Sequence, residues 1–261
     1  MISFAAITPH PPIIIPDIGK DNLSLAKKTI EGMEKLARRL KRANPDVIIV
    51  ISPHGTIFAD AFSINLSEKY KADFKQFGDV STKLNFSGDV VLTHRIFEKL
   101  EAKMPVMMLN NPKLDHGAAV PLYYLTQHIK NSSIIPIGYS LLSYQDHLDF
   151  GQKIKEEIFL SDKKIAIIAS GDLSHRLTFD APAGYNPNGK IFDDKLISLL
   201  KTKSWKQILD LDQGLINDAG ECGLRSILIL LGIIKNLNYK PELLSYEGPF
   251  GVGYLVMNFK L

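Results

Sequence analysis

The chain has 261 residues, of which 45% are hydrophobic and 23% are charged, a composition typical of a folded globular protein. Its net charge of +3 is too small to indicate nucleic-acid binding, and no basic stripe with interleaved aromatic residues is present. The longest strongly apolar run, SILILLGII at 226–234, is too short to span a bilayer, which requires about 20 residues. Because there is one cysteine and no basic stretch typical of a signal peptide, we expect a cytoplasmic protein without a membrane partner.

Short apolar runs alternate with amphipathic helical stretches along the chain, as in α/β proteins. The predicted strands are 2–7, 47–52, 62–66, 106–109, 134–139, 165–170, 242–246 and 254–259. The predicted helices are 21–42, with Asp21 as its cap, 90–101, 118–129, 144–158, 191–200 and 223–237. Most strands are apolar throughout, which indicates cover on both faces. The sequence therefore predicts one α/β domain over residues 1–261, a three-layer α/β/α arrangement with a largely parallel, mixed central sheet and a C-terminal antiparallel hairpin.

Four of the seven histidines lie just beyond predicted strands. His10 occurs in TPHPP, His54 in SPHG, His116 in NNPKLDHG and His175 in SGDLSH. The other three, His94, His128 and His147, lie within helical patterns, where surface or packing roles are expected. Parallel strands end at one edge of a sheet, and this edge binds ligands in open α/β sheets. We therefore expect the four imidazoles to converge, provided that strands 106–109 and 165–170 also run parallel to the first two.

Converging neutral imidazoles are typical of a transition-metal site. A third ligand would be a carboxylate or a thiolate, and the candidates are Asp17, Asp115, Asp172, Glu221, Cys222 and Glu247. Glu221 opens a predicted helix, where the helix dipole would also favour an acid. Glu247 lies at the tip of the last predicted hairpin, where it could equally be a turn residue. Spacing alone leaves this choice open.

Five short motifs occur in one order along nearly the whole chain: TPHPP, SPHG, DHG, GDLSH and AGE. Together they resemble the class III extradiol ring-cleavage dioxygenases, in particular the catalytic beta subunit of protocatechuate 4,5-dioxygenase and its relatives, including the Memo-like proteins. The resemblance implies that His10, His54 and Glu221 hold Fe(II), that His175 is the catalytic acid/base, and that His116 is a second active-site histidine.

The activity that this resemblance implies is ring cleavage of a small catechol-type aromatic substrate with O2. Asp172 could orient one imidazole, and Tyr185, in the long predicted loop 177–189, could line the ring pocket. Zinc, copper or manganese could replace iron. We also expect a homo-oligomer, and a small accessory subunit could close the pocket, as in some members of the family.

The resemblance also contains an alternative for the third ligand. In Memo-like relatives a cysteine in a Cys-Gly pair replaces the glutamate, and this chain has both Glu221 and the pair Cys222-Gly223. The protein could therefore be a Memo-like zinc or copper protein without dioxygenase activity. It could also be a zinc-dependent hydrolase in which His175 activates water.

Overall fold

The computed structural model describes residues 1–261 and contains ten strands. They are β1 Ile2–Thr8, β2 Val47–Ser52, β3 Phe62–Asn65, β4 Lys69–Phe74, β5 Asp79–Ser87, β6 Val106–Leu109, β7 Ser133–Gly138, β8 Ile165–Ser170, β9 Lys240–Glu247 and β10 Tyr254–Lys260. Eight of these strands form one mixed sheet in the order β6-β3-β7-β2-β8-β1-β10-β9, and β4 pairs with β5 in a separate antiparallel hairpin.

Helices cover both faces of the large sheet. They are α1 Pro16–Gly19, α2 Lys27–Ala43, α3 Val90–Glu101, α4 His116–Leu125, α5 Tyr144–Phe159, α6 Pro187–Lys201, α7 Trp205–Leu209, α8 Gln213–Ala219 and α9 Leu224–Ile234. Side chains of a strand alternate between faces. Thus Ile49 packs with the core that includes α3, α5, α6 and α9, whereas Ile48 packs with the core that includes α2 and α4. The predicted three-layer α/β/α architecture is confirmed.

The centre of the sheet is parallel. β1 pairs with β8, β8 with β2, and β2 with β7, all in parallel register. β10 runs antiparallel to β1 and pairs with β9, which confirms the predicted C-terminal hairpin. The carboxyl ends of β1, β8 and β2 therefore lie side by side at one edge of the sheet.

Strand β6 does not have the direction that the sequence suggested. β3 is antiparallel to β7, and β6 pairs in parallel with β3, so β6 runs opposite to the central strands. The condition that strand 106–109 runs parallel to the first two strands is therefore not met, and β6 does not carry His116 directly to the common edge. His116 reaches this edge because the chain returns beside β4, where the Lys71 amide donates to the Pro112 carbonyl at 2.7 Å and the Leu114 amide donates to the Lys71 carbonyl at 2.9 Å.

The structure differs from the sequence analysis at two further places. The β4–β5 hairpin was not predicted, although Tyr70, Ala72 and Phe74 alternate with polar residues and are all buried. Asp21 does not cap a long helix, because Lys20–Ala26 winds as a 3₁₀ helix and α2 begins only at Lys27. No helix in the structure is both long enough and apolar enough to cross a membrane.

Candidate metal centre

The candidate site lies where three adjacent strands end. His10 follows β1 by two residues and His54 follows β2 by two residues, while the loop after β8 runs between them. The imidazole Nε2 atoms of His10 and His54 are 3.0 Å apart. The Sγ atom of Cys222 lies 3.7 Å from the His10 Nε2 atom, and the three donor atoms lie within 4.8 Å of one another. Two imidazoles and one thiol thus converge on one point.

Cys222 reaches this cluster because the turn before α9 packs closely against the loop after β8. A side chain at Gly171 would place its Cβ atom 2.2 Å from the Cα atom of Gly223, so the approach requires glycine at position 171, and a Cβ atom at Gly223 would lie a tight 3.0 Å from the Asp172 carbonyl oxygen. The Cys222 amide donates to the Asp172 carbonyl at 3.3 Å, and the Asp172 amide donates to the Cys222 sulfur at 3.3 Å. This pair of hydrogen bonds directs the thiol toward the histidines.

The Glu221 carboxylate lies at the start of α9 instead. Its Oε2 atom accepts a hydrogen bond of 2.5 Å from the Leu224 amide, the position in which an acid benefits from unpaired helix amides. Burial raises the pKa of Glu221 to about 7, against the opposing effects of the Leu224 amide and Arg225. The structure therefore brings Cys222, and not the expected Glu221, together with His10 and His54, because the helix terminus holds the Glu221 side chain.

The other candidate carboxylates are also bound elsewhere. Asp17 accepts from the Ser81 hydroxyl at 2.9 Å, and Glu247 accepts from both the amide and the hydroxyl of Thr29 at 2.7 Å. Asp115 caps α4 by accepting from the Ala118 amide at 3.1 Å, and it also accepts from the Ser52 hydroxyl. None of these three belongs to the cluster.

Asp172 lies against the cluster without being one of its three converging donors. Its Oδ1 atom accepts from the His10 amide at 3.0 Å, and its Oδ2 atom is 3.7 Å from the His10 Nε2 atom. Burial raises the pKa of this carboxyl to about 7, although the hydrogen bond from His10 acts in the opposite direction. Asp172 thus touches both His10 and Cys222, so it can orient both side chains.

The hydrogen bonds of His10 assign its tautomer. The Ser170 hydroxyl donates its only proton to the Gly117 carbonyl, so at 2.9 Å it can only accept from the His10 Nδ1 atom. The proton of neutral His10 is therefore on Nδ1, and the Nε2 lone pair faces the cluster. This is the form in which an imidazole binds a metal, with the second ring nitrogen fixed by a hydrogen bond.

Burial keeps the imidazoles neutral. Burial and neighbouring histidines together hold the pKa of His10 well below 6.5, and burial and His116 lower that of His54 to about 4, against the opposing effect of Asp115. Burial also raises the pKa of the Cys222 thiol well above its ordinary value, with Asp172 and Glu221 adding to the effect. A thiol in this position loses its proton readily only when its sulfur coordinates a metal cation. The donor set therefore fits a transition metal, with His10, His54 and Cys222 as the groups that would hold it.

Two more histidines adjoin this cluster. The His116 ring stacks on the His54 ring with centroids 4.2 Å apart, and the Phe77 ring meets the His116 ring in an edge-to-face arrangement with centroids 5.3 Å apart. His175 is held by its backbone, whose amide donates to the Ala219 carbonyl at 3.0 Å. Burial lowers the pKa of both histidines, against the opposing effects of Asp115 on His116 and of backbone hydrogen bonds on His175. Both imidazoles can therefore accept a proton.

A cleft of about 900 Å³ opens beside His54 and His116. Tyr185 does not line it, contrary to the expectation of a ring-pocket residue. The Tyr185 side chain is half-exposed on the loop before α6, where it packs against Phe179 with ring centroids 4.7 Å apart.

Two serines that support the site were missed by the sequence analysis. Ser170 holds the His10 ring, and Ser52 bonds Asp115 and accepts from the His54 amide at 3.2 Å. Each is the polar last residue of an otherwise apolar strand at the edge that carries the histidines. A buried serine in that position is a signal that could have been found in the sequence.

Comparison with known proteins identifies the family of this chain. The family described as the catalytic LigB subunit of aromatic ring-opening dioxygenase matches residues 4–257. The chain belongs to the LigB family. This agrees with the resemblance to extradiol ring-cleavage dioxygenases that the sequence motifs indicated.

Two relatives and one solved structure are similar to this LigB-family chain over most of its length. It is 35% identical over 264 residues to Protein CA_C1420 of Clostridium acetobutylicum, covering 97% of this chain and 56% of that protein, so it spans about half of that relative. It is 23% identical over 251 residues to a 3,4-dihydroxyphenylacetate 2,3-dioxygenase of Escherichia coli, covering 88% of each. The crystal structure of uncharacterized protein JW3007 from Escherichia coli K12 shares the fold, with a TM-score of 0.69, 20% identity and 98% coverage of each chain.

Proposed function

We propose that this protein is a metal-dependent enzyme of the Memo-like type, in which His10, His54 and Cys222 hold zinc or copper. The observation that carries the proposal is the convergence of two imidazole nitrogens and one thiol sulfur within 4.8 Å. Thiolate donors favour zinc and copper over the iron that a two-histidine, one-carboxylate site would favour. Membership of the LigB family, which is typically metal-dependent, supports the presence of a metal.

A bound metal would act as a Lewis acid toward an oxygen atom of a ligand in the adjacent cleft. The residues of the chain have three separate tasks in this proposal. Asp172 and Ser170 fix the orientation of His10, so that its Nε2 atom keeps facing the cluster. His175 takes a proton from a ligand hydroxyl or from water, since its neutral form predominates near pH 7. His116, stacked on His54, hydrogen-bonds the ligand.

The second candidate function is Fe(II)-dependent extradiol cleavage of a catechol-type substrate with O2. It is supported by the presence of His116 and His175 beside the cluster and by the similarity to a 3,4-dihydroxyphenylacetate 2,3-dioxygenase. In that reaction His175 would accept a proton from a substrate hydroxyl. A zinc-dependent hydrolase would use the same residues, with water as the proton donor. The homo-oligomer, the accessory subunit and the cytoplasmic location remain predictions.

Parallel metal reconstitution would separate these candidates. Metal-free protein would be loaded anaerobically with Zn(II), Cu(I), Fe(II) or Mn(II), and metal content and catechol-dependent oxygen uptake would be measured. We expect about one zinc or copper per chain, loss of this metal in Cys222→Ala, its retention in Glu221→Gln, and no oxygen uptake. Oxygen uptake by the iron form would instead support the dioxygenase. Failure to retain any of the four metals would contradict both.

A further inference from the structure

His175 lies on a loop whose backbone is tied to two other parts of the chain. This loop, 171–177, follows β8. The Gly253 amide, just before β10, donates to the Ser174 carbonyl at 2.8 Å. The His175 amide and the Ser174 hydroxyl both donate to the Ala219 carbonyl at the end of α8, at 3.0 and 2.9 Å. Backbone groups of two neighbouring elements thus hold the loop on either side.

One side chain from another element holds the loop as well. Asp193, on α6, accepts from the Ser174 amide through its Oδ1 atom at 2.8 Å. It is the only side chain outside the loop that hydrogen-bonds any of residues 173–177. Because the amide, the carbonyl and the hydroxyl of Ser174 are all bonded, both peptide groups that flank this residue are fixed. One of them leads directly into His175.

The Asp193 carboxyl is itself held from its other side. Its Oδ2 atom accepts from the hydroxyl of Tyr246, on β9, at 2.6 Å. A side chain at Gly253 would place its Cβ atom 2.2 Å from the same oxygen, so the carboxyl occupies the space that this glycine leaves. The C-terminal hairpin therefore sets the direction in which the Oδ1 atom meets the loop.

Burial of this carboxyl carries a cost. Asp193 is fully buried, and Lys190 of the same helix forms its ion pair with Asp194 instead. Burial raises the pKa of Asp193 to about 7, against the opposing effects of its two hydrogen-bond donors and of Lys190. An apolar side chain of similar size could fill the same space without this cost. What the carboxyl adds is a pair of hydrogen bonds, one of which reaches the residue next to His175.

We propose that Asp193 is a positioning residue for His175, fixing the Ser174 peptide groups so that the imidazole stays beside the metal centre. This inference rests on the proposed function only for the task of His175, which is to take a proton. Asp193 hydrogen-bonds neither the imidazole nor any of the three converging donors, so it acts through the backbone. Misplacement of a reacting group by about 1 Å can cost on the order of 10²-fold in rate, so a proton acceptor needs such support.

Nuclear magnetic resonance of the seven histidine rings tests this proposal. The protein would carry 15N-labelled histidine, and the signals of His175 would be assigned from their absence in His175→Gln. Asp193→Leu removes the hydrogen bond but keeps a side chain of similar size, whereas Asp193→Asn keeps an oxygen that can accept from the Ser174 amide. In Asp193→Leu we expect the lowered pKa of His175 to rise toward 6.5 by about 0.5 pH units or more, because a freed ring is better hydrated. In Asp193→Asn it should stay within about 0.2 pH units of the wild-type value.

The other rings and a third variant make the result specific. His54 and His116 should keep their wild-type signals in both Asp193 variants, and zinc affinity should stay within about twofold, since Asp193 bonds none of these groups. Tyr246→Phe, which frees only the Oδ2 atom, should move the pKa of His175 in the same direction by a smaller amount. Where Asp193→Leu does not fold, this variant takes its place in the comparison.

Three results would overturn the proposal. They are an unmoved His175 ring in the folded variant, an equal shift in Asp193→Asn, and a shift shared by all the histidines, which would indicate general loosening. The same spectra on metal-free protein keep the measurement independent of the metal. Failure to retain zinc would therefore contradict the proposed function, whereas an unmoved His175 ring in a protein that retains zinc would contradict only this inference.

Discussion

His10 and His147 are both buried histidines, yet their surroundings differ in what faces the Nε2 atom. In His147 the Nδ1 atom lies 2.7 Å from the Ser143 carbonyl and the Nε2 atom lies 3.1 Å from the Ser140 carbonyl, so backbone groups surround both nitrogens. In His10 the Nδ1 atom is bonded to Ser170, but the Nε2 atom faces the Nε2 atom of His54 and the Cys222 sulfur.

Burial does not distinguish these two histidines. It is the main cause of a lowered pKa in both, well below 6.5 for His10 and to about 4 for His147. The difference lies in the partners of the ring nitrogens. Both nitrogens of His147 lie against backbone carbonyls, those of Ser143 and Ser140. The Nε2 atom of His10 instead lies close to the Nε2 atom of His54 and the sulfur of Cys222. Convergence of lone pairs, rather than burial, therefore indicates a ligand site.

The largest expected effect is on metal binding when a converging histidine is removed. His10→Ala or His54→Ala should weaken zinc affinity by about 10³-fold or more, since each removes one of three protein donors. His147→Ala should keep full zinc content and lower the free energy of unfolding by about 2–3 kcal/mol through the lost buried contacts. Metal analysis and denaturant unfolding of the three variants would check this. Full zinc occupancy in either of the first two would remove that residue from the site.

The neighbouring residues 221 and 222 offer a sharper test. Cys222→Ser should reduce zinc affinity by about 10²-fold or more, because a hydroxyl is a poor substitute for a thiolate donor. Glu221→Gln should keep zinc and leave the free energy of unfolding near pH 7 unchanged or slightly higher, because burial raises the pKa of this carboxyl to about 7 and the glutamine oxygen can still accept from the Leu224 amide. Zinc titrations against a competing chelator would measure the difference. The reverse pattern would restore Glu221 as the ligand.

A smaller effect is expected from Asp172, which supports the donors. Asp172→Asn retains the shape of the side chain but removes the carboxylate beside His10 and Cys222. Loss of such a supporting group costs about 10–100-fold in metal affinity. We expect a decrease in that range with full occupancy at high zinc, measured by the same competition assay. An effect as large as that of His10→Ala would identify Asp172 as a ligand itself.

The smallest effect concerns the pH dependence of stability at His147. Its pKa of about 4 in the folded protein lies below the ordinary value of 6.5, so the unfolded chain binds more protons between these values. The stability from neutral His147 is thus complete above pH 6.5 and is lost as the pH falls through about 4. His147→Phe should flatten the decline in unfolding free energy over this window by on the order of 2 kcal/mol. An identical slope in metal-free wild type and variant would contradict this.

The sequence predicted the three-layer fold because its strands are short apolar runs and its helices have clear amphipathic spacing. It placed His10 and His54 correctly just after β1 and β2, because each apolar run ends there, and at one edge, because strands joined by a crossover helix run parallel. It could not give the direction of β6, because a four-residue apolar strand at the edge pairs equally well in either direction. Nor could it choose between Glu221 and Cys222, because the choice depends on the close packing of Gly171 against Gly223, which are 52 residues apart in sequence.

X-ray absorption spectroscopy of the zinc-loaded protein tests the central claim most directly, since it distinguishes sulfur from nitrogen and oxygen among the ligands of a metal. The account predicts one sulfur at about 2.3 Å from zinc together with two imidazole nitrogens at about 2.0–2.1 Å. The sulfur should disappear in Cys222→Ser and persist in Glu221→Gln. A wild-type spectrum with only nitrogen and oxygen ligands would contradict the account.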